Sequence, residues 1–230
     1  MHESAYWFLH MPWWPRSRGA RQAPPPFDAH AVTLPGWQLE HHDASHAAWR
    51  DREGDIIRLS LGPADDVTAL LTDRPALERY CRAIAERDRG GLIEVSTGDA
   101  ANGPCVSYIY KCLPQRFFFA FFGWLCIPFS TGTWVWMIAT TERGGTGVRE
   151  SEVTAMLLRD GQWGFASLEQ AWASDPYDPT YSGVDRSVLR SRSDASEYDS
   201  LFPDHPLTKV RRELQRLAAI QISPNAGPAR

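Results

Sequence analysis

Apolar residues recur along this chain with periods that change from helical to strand-like and back, and each change marks a predicted element. In residues 72–91, Leu77, Tyr80, Cys81, Ile84 and Ala85 fall at three- and four-residue intervals, the spacing of one helix face. Thr72 and Asp73 ahead of them offer a capping oxygen, Pro75 lies in the first turn where its missing amide is harmless, and Gly90-Gly91 ends the run. A second helix is predicted over residues 150–163, with Val153, Met156 and Leu157 on one side and Gly161 at the stop. A third is predicted over residues 206–222, where Leu207, Val210, Leu214 and Leu217 are helically spaced and Lys209, Arg211, Arg212 and Arg216 lie largely opposite, as a solvated charged face.

Between these helices the pattern shortens to strands. HAVTLPGWQLE and AAWRDREGDIIRLSLGP are rich in β-formers, and the turn residues 51–55 read as a hairpin. LIEVSTGDA, a turn at residues 98–103, and the half-alternating PCVSYIYKCL predict another strand pair. Residues 117–139, FFFAFFGWLCIPFSTGTWVWMIA, carry no charge and are long enough to cross a bilayer as one helix. Pro128 and the turn-forming residues 130–133 interrupt the run near its middle, and both halves are aromatic and β-branched, so a hairpin is predicted instead. Because each half is apolar on both faces, these strands belong at the centre of a sheet covered on either side.

The predicted architecture is therefore α+β, a central antiparallel sheet flanked by helices. Residues 1–26 form an arm with aromatic side chains between Tyr6 and Trp14, followed by an Arg/Pro-rich linker. Residues 27–165 form the core domain. Residues 166–230 form an extension that packs on the core and ends in the terminal helix, and its Asp/Pro/Ser/Tyr-rich stretch at 173–205 exceeds ordinary loop length.

Composition narrows the function. A net charge of −4 with no basic block argues against nucleic acid as a partner. Arginine supplies nearly all the positive charge, Lys111 and Lys209 being the only lysines. The four cysteines, Cys81, Cys105, Cys112 and Cys126, have no metal-ligand spacing and read as buried free thiols. The amino terminus lacks a basic n-region and a small-residue cleavage site, which predicts a cytoplasmic protein. The aromatic arm and the terminal helix together leave peripheral membrane contact as an alternative use of those segments.

Several motifs approach chemistry. In HHDASH, His41, His42, Asp43 and His46 hold metal-ligating types, but the arrangement reads as exposed residues of a strand connection. RGGTGVRE follows a strand and precedes a helix, so Arg143, Thr146 and Arg149 are candidate anion-binding residues around exposed backbone amides, with Thr146 also a candidate helix cap. Cys105 in GPCVSY is the nearest candidate nucleophile, but its neighbours are those of a buried strand thiol. Asp65-Asp66, Asp175 and Asp178 fit no calcium loop and read as turn and helix-start residues. No cofactor or metal is implied, and the reading leans away from an enzyme, the alternative being a small-molecule binder or enzyme that uses the glycine-rich loop at 143–149 for an anionic group. Trp124, Trp134 and Trp136 in the apolar hairpin are the candidate protein-binding residues, Trp134 and Trp136 sharing one strand face.

The succession TLPGWQLE, PALERYCRAIAE, GPCVSYIYKC and FFFAFFGWLCIPF…TWVWMIATTE over residues 27–160 resembles the PsbP-like fold group. That resemblance implies an antiparallel sheet flanked by helices, and a binding protein rather than an enzyme, since the group includes photosystem and nuclear-import accessory factors and the Eag effector chaperones. The partner it implies is another protein, in a bacterial chaperone, adaptor or immunity-type role.

Overall fold

The computed structural model describes residues 29, 32–43, 45–62, 70–115, 118–129, 132–161 and 172–221. Strands β1 (Trp37–His42), β2 (His46–Asp51) and β3 (Ile56–Gly62) precede helix α1 (Arg74–Arg87), then β4 (Gly91–Ala100), β5 (Gly103–Gln115), β6 (Phe118–Phe129) and β7 (Gly132–Thr141). They form one seven-stranded sheet in the order β1-β2-β3-β7-β6-β5-β4, antiparallel at every pairing. Helices α2 (Val148–Arg159) and α3 (Pro206–Ala218) complete the α+β fold. The uncharged stretch is the β6–β7 hairpin, and its strands are central. Among the described residues no helix is long and apolar enough to cross a membrane.

Strand alternation divides the sheet into two covered faces. Ile57, Leu59, Phe121, Leu125, Trp134, Trp136 and Ile138 point to one face, where Leu207, Val210, Leu214 and Leu217 of α3 close over them. Burying each of those four side chains is worth about 1.5–3 kcal/mol of transfer free energy. The helix approaches β6 at Gly123, where an added Cβ would lie 2.5 Å from Val210 Cγ1. On the other face Phe122, Tyr108, Tyr110, Val135 and Met137 pack with Leu77, Cys81 and Ala85 of α1. That helix starts as predicted, with the Asp73 side chain accepting a hydrogen bond from Ala76 N at 3.0 Å. All four cysteines are free and buried, and burial pushes Cys112 up to about 12.

The Asp/Pro/Ser/Tyr-rich stretch is an ordered strap. Its Asp175 carboxylate receives the Arg82 guanidinium in a fork at 2.9 and 2.7 Å. Tyr177 Oη accepts from Val95 N at 2.7 Å and donates to Val95 O at 3.3 Å, while Arg74 Nη2 donates to the same carbonyl at 2.8 Å. These bonds satisfy backbone groups on the outer edge of β4, which the sheet itself leaves unpaired. The strap then runs so close past Gly91 that a Cβ there would lie 2.2 Å from Val188 O. A two-residue ribbon, β8 (Ala173–Ser174) with β9 (Arg190–Ser191), joins its start to its middle. Short 3-10 turns follow, and Asp194 among them is fully buried against Lys111 of β5 at 2.7 Å.

Candidate functional site

Trp134 and Trp136 are 5% and 0% exposed beneath α3. They do share a face, but that face is the hydrophobic core, where the apolar stripe of α3 packs over it. Trp124 points to the opposite face and stacks on Tyr108 with ring centroids 6.0 Å apart. The expectation that Trp134 and Trp136 present a binding surface is thus corrected.

The glycine-rich turn is also different from the expected anion cradle. Gly144 and Gly147 adopt positive φ of 80° and 76°, the left-handed turn that swings the chain from β7 into α2. Gly147, not Thr146, stands at the N-cap. Arg149 is fully buried and used internally: it donates to Ser193 O, Thr208 Oγ1, Ala195 O and Asp199 Oδ1 at 2.6–3.0 Å. Arg143 pairs with Glu53 at 3.0 Å and with Asp55 at 2.5 Å. The structure therefore corrects the assignment of Arg143 and Arg149 as anion-binding charges, since carboxylates of this chain already occupy both. HHDASH spans the end of β1 and the start of β2, with Asp43 Oδ1 accepting from Ser45 N and His46 N at 2.7 and 2.8 Å. The Ser45 amide bond first, then the Ser45 hydroxyl and the His46 amide, pull the Asp43 carboxyl down to about 2 against a smaller effect of burial. Asp178 caps the turn at Thr180. The aromatic arm and Asp65-Asp66 lie outside the described residues.

The basic face of α3 is only partly solvated. Arg211 is buried, bonded to Glu94, Asp199 and the carbonyl of Asp194. Lys209 Nζ contacts Asp51 Oδ2, and also Glu53 Oε2 at 2.7 Å and Asp55 Oδ2 at 2.6 Å. These carboxylate oxygens lie close enough together to share a divalent ion, but the ammonium stands at the point such an ion would take. Burial works to lower the Lys209 value and its three acceptors outweigh it, holding the ammonium well above its usual range. Glu53 is lowered, chiefly by the Lys209 hydrogen bond, while burial raises Asp55.

Beside this cluster, at the end of the sheet where β7 finishes and α3 begins, opens a cleft of about 440 Å³. Val148, Leu201, Phe202, Pro203 and Pro206 give it apolar walls, and Glu53, Glu142, Arg143, Asp204 and His205 give it polar ones. Glu142 directly follows β7 and is fixed there: its amide donates to Phe119 O at 3.0 Å and its Oε2 accepts from Phe119 N at 3.2 Å. His205 caps α3, its Nδ1 accepting from Leu207 N at 3.2 Å. That bond makes Nε2 the protonated nitrogen of the neutral ring. Nε2 is buried without a hydrogen-bond partner and lies 3.6 Å from Glu142 Oε1, the two side chains being 10% and 5% exposed. Sequence reasoning missed both residues. The available signal was a histidine immediately before the proline that starts a helix, an acceptor at an N-cap position.

No family model and no curated protein matches the chain. Among solved structures the fold is similar to a mutant of the protein Mog1, with 11% identity and a TM-score of 0.37 over 53% of this chain and 76% of that one. It is similar also to the Saccharomyces cerevisiae Ran-binding protein Mog1p, with 9% identity and a TM-score of 0.36 over 61% of this chain and 84% of that one. A third likeness is to human STARD10, with 12% identity and a TM-score of 0.25 over 58% of this chain and 73% of that one. Likenesses at this level carry no argument about function.

Proposed function

We propose that this chain is a non-catalytic accessory protein that binds another protein, and that the partner docks at the cleft end of the sheet. One observation carries the reading. The large hydrophobic side chains exposed among the described residues are Leu113, Phe118, Val148 and Leu201, and all of them lie where β5 and β7 end and β6, α2 and α3 begin. Val148 and Leu201, at 56% and 55% exposed, flank the cleft itself. Exposed apolar side chains at the mouth of a concave, partly charged cleft fit the anatomy of a protein-docking patch. A chaperone, adaptor or immunity-type role in a bacterial cytoplasm is the specific form of this proposal, in keeping with the PsbP-like element order.

The test uses the full chain, tagged and captured from its host, with quantification of whatever protein binds stoichiometrically. Leu201→Glu and Val148→Glu place charges on exposed positions and leave the fold intact, so thermal melting should be unchanged while the partner is lost by tenfold or more. Retention of the partner by both variants would refute docking at this end.

A further inference from the structure

The same cleft has a charge and a hydrogen-bond pattern that specify its occupant. Asp51, Glu53 and Asp55 outnumber Lys209 and Arg143, three carboxylates to two cations. Arg149 is matched by Asp199. Glu142 and Asp204 then add two further carboxylates to the lining, against the His205 ring and Arg212, whose guanidinium donates to the Pro203 carbonyl at 3.3 Å and pairs with Glu213. A negative potential inside a low-dielectric concavity favours an incoming positive group and repels an anion.

We infer that the cleft receives a lysine or arginine side chain of the partner, an assignment that rests on the protein-binding reading above. The aliphatic stem lies along Val148, Leu201 and Phe202, the way long basic side chains cover apolar surface while keeping their heads polar. The charged head donates to Glu142 Oε1, the oxygen left over after Oε2 accepts the Phe119 amide. His205 Nε2 is a buried donor without a hydrogen bond, Glu142 Oε1 lying 3.6 Å from it, and it supplies a hydrogen bond to a backbone carbonyl beside the basic residue. Glu142 is thus the charge-recognising residue and His205 the one that reads the peptide backbone. A free anionic metabolite satisfies neither Glu142 nor Asp204, and a simple metal ion is unsuited to His205, whose Nδ1 already accepts a hydrogen bond and whose Nε2 therefore keeps its proton.

The experiment is a backbone NMR titration of the full chain with acetylated, amidated pentapeptides Ala-Ala-X-Ala-Ala, where X is Lys, Arg, Glu or Ala. Saturable shifts at Glu142, Leu201 and His205 with the Lys and Arg peptides are expected, roughly tenfold weaker with Ala and absent with Glu. Glu142→Gln keeps the acceptor for the Phe119 amide, so it should preserve the fold and abolish the discrimination between Lys and Ala. Asp204→Asn, an exposed change, should weaken the Lys peptide severalfold without altering the melting temperature. Equal shifts with the Glu peptide, or none with any basic peptide, would overturn the inference. Loss of a captured partner on Leu201→Glu together with full retention on Glu142→Gln would overturn the basic specificity alone and leave the docking site standing.

Discussion

At the scale of single residues, the two lysines of this arginine-rich chain both sit in ion clusters. Lys111 is 1% exposed against a fully buried Asp194, and Lys209 is shared by three carboxylates. A compact ammonium fits where a planar guanidinium, with its fixed fork, would not. Burial alone would raise Asp194, but the Lys111 charge and hydrogen bond, with further bonds from Ser191, outweigh it and hold the carboxyl below the usual range. A carboxyl lowered in the folded state contributes stability that is present above its unfolded value near 3.8 and is lost as pH falls through the folded value. Lys111→Met and Asp194→Asn should each cost about 3–5 kcal/mol in urea unfolding at pH 7, because each strands a buried partner, and the double variant should recover much of that loss. Additive losses in the double variant would show that the two groups act independently. The acid side of the stability profile should also flatten in Asp194→Asn.

At the scale of elements, α3 is the piece whose placement decides what the sheet can present. Its apolar stripe and its basic stripe are both legible in the sequence. Which surface the first covers, and that Lys209 and Arg211 of the second are consumed by acids of β2, the β2–β3 turn and β4, became visible only on docking. The contact is set by Gly123, a residue that reads in the sequence as a mere interruption of an aromatic strand. Gly123→Val should destabilise the protein by about 1–3 kcal/mol, because the side chain meets Val210, Ile138 and Leu214 and α3 must lift. The check is a lower denaturation midpoint together with faster amide exchange along α3; an unchanged midpoint would contradict the close approach.

At the scale of the whole molecule, the extension belongs to the core rather than standing beside it. The strap satisfies the edge of β4, Asp194 and Asp199 anchor it to β5 and α2, and α3 closes one face of the sheet. A chain ending at residue 205 should therefore expose Trp134 and Trp136, bind a hydrophobic dye and lose its cooperative thermal transition. A sharp transition in that truncated chain would mean that the sheet and α1 fold without the helix.

The periodicities of this sequence determined the elements themselves, since alternation and helical spacing are local properties: α1 with its Asp73 cap, the β2–β3 and β6–β7 hairpins, and the central place of the uncharged strands all follow from them. The sequence also marked the thiols as buried and HHDASH as a connection between strands. The site was another matter. Arg143 and Arg149 look like free charges in a glycine-rich loop until Asp55 and Asp199, 88 and 50 residues away, are brought against them. Glu142 and His205 look like ordinary polar residues until β7 and the cap of α3 meet at one cleft. Pairing of charges over such separations depends on which faces pack, and only the tertiary structure decides that.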